Sequence, residues 1–119
     1  MDDARLPLTV AETPAFSREA SRILGEQSHQ RLIEFLGLNP EAGAIVQHTG
    51  GVRKLRWAVP GKGKRGGARV IYYFHSKTLP LPPLNVYAKS EKTDLSPSEK
   101  KRLKAEVDGY FRSLTGDQR

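Results

Sequence analysis

The spacing of apolar positions changes character along the chain, and each change marks a new element. Phe16, Ala20, Ile23 and Leu24 recur at i, i+4, i+7 and i+8, the stripe of an amphipathic helix. Thr13 followed by Pro14 supplies a helix cap and a first-turn proline just ahead of that stripe. After a break near Gly25, Leu32, Ile33 and Leu36 form a second stripe with Phe35 beside it, and Asn39-Pro40 ends it. Two helices so close in sequence predict a helix hairpin. Upstream, Leu6, Leu8 and Val10 alternate with other residues and predict a short first strand, with Pro7 favouring an edge position.

Beyond the turn residues Asn39 to Gly43 the helical period gives way to alternation. Strands are expected over 52–59, 68–75 and 84–89. The first two flank Pro60-Gly61-Lys62-Gly63-Lys64-Arg65-Gly66-Gly67, which is too short for a helical crossover, so they should pair antiparallel as a hairpin. Pro80, Pro82 and Pro83 crowd the approach to the last strand and should delay its start. Ser96-Pro97-Ser98-Glu99 reads as a capping box, after which Leu103, Val107, Tyr110, Phe111 and Leu114 line one face of a terminal helix. The order predicts an α+β fold: a small antiparallel sheet with an N-terminal helix hairpin on one face, and a C-terminal helix. At 119 residues the whole chain, 1–119, is expected to form one domain.

Alternation also sorts side chains by face. Leu55, Trp57 and Val59 share one side of their strand, Val70, Tyr72 and Phe74 one side of the next, and Leu84, Val86 and Ala88 one side of the last. The helices are expected to cover one face of the sheet, and if these sets face the helix hairpin, then Lys54, Arg56, Arg69, Tyr73, Tyr87 and Lys89 share the opposite, open face. A plate of cations with aromatic neighbours suits single-stranded nucleic acid, whose phosphates the charges hold and whose bases the rings can stack on.

Charge sharpens this picture because it is segregated. Nine basic residues and no Asp or Glu lie between Ala42 and Ser90, whereas the rest of the chain carries 11 basic and 13 acidic residues, for a net charge of +7 overall. Such asymmetry points to a polyanionic partner. No apolar run is long enough to span a membrane, and the start of the chain lacks the basic and apolar regions of a signal peptide, so a cytoplasmic protein is expected. The absence of cysteine excludes disulfides, thiolate catalysis and cysteine-based zinc sites.

Other chemistries find little support. Gly61-Lys62-Gly63-Lys64-Arg65-Gly66 matches a dinucleotide fingerprint literally, but a strand follows where that fingerprint requires a helix. What remains is a basic glycine-rich loop suited to clasping a phosphate backbone. The acid-free stretch offers no carboxylate to a metal, and His29, His48 and His75 fall on three different elements, so neither metal nor cofactor is expected. An acid-free cationic site can still cleave RNA through the RNA's own 2′-OH, if cations stabilise the charge that builds up on the phosphate and something moves protons.

Several segments are similar to one family. Asn39-Pro40-Glu41-Ala42-Gly43, Gly50-Gly51-Val52-Arg53-Lys54-Leu55-Arg56-Trp57, the run from Gly61 to Tyr73, and Tyr87-Ala88-Lys89-Ser90-Glu91-Lys92-Thr93-Asp94-Leu95-Ser96 resemble, in this order, the HigB-like toxins of the RelE/ParE superfamily. The resemblance spans roughly Thr13 to Leu114. It implies a small antiparallel sheet flanked by helices, cleavage of mRNA in the ribosomal A site without a metal, and inhibition by a cognate antitoxin, usually of helix-turn-helix type. By the same resemblance, catalytic roles fall to Lys54, Arg56, Arg69 and Lys89, with Arg69 gripping the scissile phosphate. RNA-binding roles fall to Arg53, Lys62, Lys64, Arg65, Tyr73, Tyr87 and Lys92. Ser90 and Ser96 stand where several relatives place a further arginine, tyrosine or histidine, which leaves the general acid and base open between His75, Tyr87 and other groups. The competing functional readings are a non-catalytic RNA- or ribosome-binding module and a gyrase-poisoning relative on the same fold.

Overall fold

The computed structural model describes residues 6–61 and 67–115, the side chains of 114 and 115 excepted. Two helices come first, α1 (Pro14–Leu24) and α2 (Glu26–Leu38). Thr13 caps α1 by accepting a hydrogen bond from the Phe16 N–H at 3.1 Å. Gly25, at φ 83°, reverses the chain between the helices in a conformation that other residues adopt only with strain. The expected hairpin follows, burying Phe16, Ala20 and Leu24 from α1 and Leu32 and Leu36 from α2.

Four strands then form one antiparallel sheet in sequential order: β1 (Ala44–Ile45), β2 (Val52–Trp57), β3 (Ala68–Tyr73) and β4 (Pro83–Ala88). A long helix, α3 (Pro97–Thr115), ends the described chain. The capping box at its start is formed in both directions. Ser96 N–H donates to Glu99 Oε1 at 2.8 Å, and Glu99 N–H donates to Ser96 Oγ at 3.1 Å.

Several elements differ from expectation: β2 and β3 end at Trp57 and Tyr73, two residues early, and β4 begins at Pro83 instead of being delayed by the prolines. The first strand shrinks to a single parallel bridge between Val10 and Leu81, held by Leu81 N–H to Thr9 O and Ala11 N–H to Leu81 O, both 2.8 Å. Pro7 has no N–H to extend that ladder. The two-residue β1, paired through Ala44 with Lys54 and Ile45 with Arg53, arises in a segment whose pattern predicted no strand.

The larger correction concerns layers. The hairpin covers one face of the sheet, over Val59, Ala68, Val70, Tyr72 and Val86, with Leu55, Trp57 and Phe74 packed alongside. That is the face assigned by alternation. But α3 lies on the opposite face, where Leu95, Leu103 and Val107 pack on Val52, Ile71, Tyr73 and Tyr87. The helices therefore cover both faces, and the second face is open only in part. Leu84 joins this second core instead of the first. The register shifts between Ile71, opposite Asn85, and Tyr72, opposite Pro83, so Leu84 is the extra residue of a bulge and turns to the other side.

Tyr72, fully buried at the centre of β3, ties the sheet to the helix-to-sheet turn. Its hydroxyl donates to Pro40 O and accepts from the Gly43 N–H, each at 2.8 Å. Gly43 must be glycine here, because a Cβ would sit 2.9 Å from the Tyr72 ring. At the other end of the hairpin, His29 bridges Ser21 Oγ at 3.0 Å and Glu12 Oε1 at 2.6 Å, fastening the N-terminal segment.

Replacing Tyr72 by Phe should leave the Gly43 N–H buried without a partner. The expected loss is about 1–3 kcal/mol of unfolding free energy in urea titrations, with the same fold by circular dichroism.

Candidate nucleic-acid interface

The register of β2, β3 and β4 decides which side chains meet. Arg56 stands directly opposite Arg69, and Arg69 in turn directly opposite Tyr87. Lys54 precedes Arg56 by two residues on the same face of β2. Lys89 continues the ladder one residue past β4, its N–H donating to Gly67 O at 3.0 Å, and so shares the face of Tyr87. Three neighbouring strands thus bring Lys54, Arg56, Arg69 and Lys89 to one end of one face, beside the Pro60–Gly67 connection. Arg56 is exposed, and the other three are half-buried.

Two arginines directly opposed across an antiparallel pair, with Cβ atoms roughly 5 Å apart, repel one another and weaken the sheet. Among the described residues neither meets a carboxylate, and Arg69 donates only to the carbonyl of its neighbour Ala68, at 3.2 Å. The like-charge pair is a cost to folding that an anion laid across it would remove.

Lys54 is different. Its Nζ lies 3.1 Å from Asp94 Oδ1, which also accepts the Leu95 N–H at 2.8 Å. The carboxyl of Asp94 is held below its ordinary range, first by that backbone N–H and then by Lys54. So the acid-free stretch is not acid-free in space: residues 90–96, running from the end of β4 to α3, carry one carboxylate into the cationic patch. Sequence reading missed Asp94, and a separation of 40 residues from Lys54 left no local signal for it.

The aromatic members of the expected plate are covered. Tyr73 and Tyr87 are 9% and 6% exposed and belong to the core beneath α3, so neither ring is open to a stacking base. A sequence signal for this did exist: the unbroken apolar run from Val70 to Phe74 marks a strand buried on both faces. Among the described residues Tyr87 Oη is buried without a hydrogen-bond partner, and burial raises its proton affinity, with Asp94 adding to the effect and Arg69 opposing it.

Other expected contacts are also redirected. Arg53 points to the hairpin face and holds the Glu41 and Gly43 carbonyls at 3.1 and 2.8 Å. Lys92 pairs with Glu99 and lies 5.3 Å above the centre of the Tyr87 ring, bracing the capping box. His75 lies six residues beyond Arg69, ~20 Å along an extended chain. There it contacts Tyr73 Oη at 3.3 Å and the Phe111 ring at 4.7 Å, which removes it from the arginine pair. Lys62, Lys64 and Arg65 lie outside the described residues, as does the Leu114 side chain.

Among the described residues no group of three His, Asp or Glu side chains converges as metal ligands would. No helix among them is long and apolar enough to cross a membrane. Compared with known protein families, the chain matches no family model.

Relieving the arginine repulsion should stabilise the protein. Arg56→Gln is expected to raise the unfolding free energy by a few tenths to about 1 kcal/mol, read by urea denaturation at low salt, with the gain shrinking as salt screens the pair. Asp94 should titrate by NMR below the unperturbed value of about 3.9. In Lys54→Ala its midpoint should rise only part of the way back, because the Leu95 N–H remains. Since the folded value is the lower one, the contribution of Asp94 to stability is present at neutral pH and is lost as pH falls through that lowered value.

Proposed function

We propose that the chain is an endoribonuclease that cuts ribosome-bound mRNA, acting as the toxin of a cytoplasmic type II toxin–antitoxin pair. The observation that carries this reading is the cluster of Arg56, Arg69, Lys89 and Lys54 on three adjacent strands, with two arginines opposed at a cost to the sheet. Proteins keep such destabilising arrangements where function needs them. The resemblance of these strands to HigB-like toxins of the RelE superfamily supports the choice of RNA as the anion and cleavage as the outcome.

In this reading Arg69 and Arg56 hold the scissile phosphate between them. The 2′-OH of the preceding ribose attacks phosphorus, the bond to the 5′-oxygen of the next nucleotide breaks, and a 2′,3′-cyclic phosphate remains. One proton leaves the 2′-OH and one reaches the departing 5′-oxygen. The extra negative charge of the transition state is what the guanidinium groups and the lysines stabilise, in a site where preorganised donors need no reorganisation. A cognate antitoxin would silence this surface by supplying acidic groups to it or by blocking access to the ribosome.

Arg69→Ala should abolish growth arrest on induction and reduce cleavage of a reporter mRNA by about 10²–10³, as loss of one charge-stabilising donor does elsewhere. Lys54→Ala with Arg56→Ala should eliminate cleavage. Both proteins should remain folded, since none of the three side chains belongs to either core. Normal cleavage by either variant, mapped by primer extension, would remove those residues from the site. Persistent RNA binding with no cleavage by the wild-type chain would favour a non-catalytic module.

A further inference from the structure

The two flanks of α3 differ in charge. Along the β4 flank, Glu99, Arg102 and Glu106 border a groove of about 230 Å³ floored by Leu84, Leu95 and Leu103. Toward β2 the helix carries Lys100 and Lys104, four residues apart and therefore on one side. Lys100 is close enough to Asp94 to act on its charge, and Asp94 in turn contacts Lys54. Lys104 reaches the β1–β2 turn, where its Cγ lies 3.6 Å from the Cβ position of Gly50. Its contact with Asp108, 3.4 Å between half-exposed groups, is of the kind worth little in water.

These positions form a line. Starting from the opposed Arg56 and Arg69, it passes Lys54 on the same strand, then Lys100, and ends at Lys104 beside Gly50. From Lys54 back to Val52 the chain is β2 strand, and Gly51 and Gly50, both at positive φ, then turn it past Lys104. We infer that this line is a binding track for single-stranded RNA, holding the phosphates that flank the scissile one along the β2 flank of α3. The inference rests on the reading of the arginine pair as a phosphate site. Two features select an RNA strand over other partners: the track is continuous with that site, and the side chains that form it are all cations, which fits a repeating phosphate backbone. Among the described residues Asp108 touches the track at Lys104 and Asp94 touches it at Lys54. The Asp94 contact occupies a cation that a passing phosphate would use, so Asp94 opposes occupation of the track.

The experiment measures binding of non-cleavable 2′-methoxy oligoribonucleotides of two and six residues across a salt series. For single strands each phosphate neutralised contributes about −0.7 to the slope of log K against log salt. Lys100→Ala with Lys104→Ala should make the hexamer slope shallower by about 1.4, equivalent to roughly a sevenfold smaller loss of affinity between 50 and 200 mM salt. The dinucleotide, which fits the arginine pair alone, should bind as it does to wild type. Asp94→Asn keeps the acceptor for the Leu95 N–H while removing the charge, and should bind the hexamer more tightly with a steeper slope. Both lysines are on the outside of a helix where alanine is well tolerated, so the fold is not at issue. A hexamer slope unchanged in the lysine variant, or an Asp94→Asn protein that binds the hexamer no better than wild type, overturns the track. The phosphate site is tested separately: dinucleotide binding that does not respond to Arg69→Ala overturns the reading of the arginine pair, whatever the hexamer shows.

Discussion

Everything in this fold hangs on β3 being buried from both sides. It is hydrogen-bonded to β2 along one edge and β4 along the other, and it sends Val70 and Tyr72 into the hairpin core and Ile71 and Tyr73 into the core under α3. A strand with both edges paired and both faces covered cannot slip by one residue without exchanging two cores. That immobility is what holds Arg69 at the strand's start opposite Arg56. The hydroxyl of Tyr72 extends the same constraint to Pro40 and Gly43, where the chain passes from helix to sheet.

The second face of the sheet is divided between two uses. Its far half, from Val52 through Ile71 and Tyr73, gives α3 an apolar bed and contributes to stability. Its near half, with Arg56, Arg69 and Lys89, is left uncovered and is electrostatically unfavourable by itself. Residues 90–96 lie along the boundary. Leu95 faces the core, Asp94 faces Lys54, and Lys92 with Glu99 braces the start of α3. Apolar burial on one half thus stabilises a sheet that carries repulsive charge on the other. Shortening or detaching α3 would expose the apolar half and leave the cations without a fixed frame.

Much of this was legible in the residues. The helix hairpin followed from two apolar stripes, the Thr13 cap and Gly25; the α3 start followed from Ser96 and Glu99; and the hairpin-facing set of the strands followed from alternation, except Leu84. The cationic cluster was legible too, because Lys54 and Arg56 differ by two positions and the antiparallel pairing with Arg69 required only a short connection. What was not legible had specific causes. The apolar stripe of Leu103 and Val107 states that α3 must be covered, but not by which face. The bulge at Leu84 depends on how β4 fits β3 near three prolines. And Tyr73 and Tyr87 look the same in sequence whether a helix lies over them or solvent does.

The sequence by itself therefore determined the elements, their order and the existence of a basic patch, because period, capping and charge are properties of neighbours along the chain. Only the tertiary structure decided that the patch is half a face and not a whole one, that its tyrosines are packed away, and that Asp94 reaches Lys54 across 40 residues. Those outcomes depend on where a helix lands on a sheet. That is settled by burial summed over the two cores, a quantity no local pattern contains.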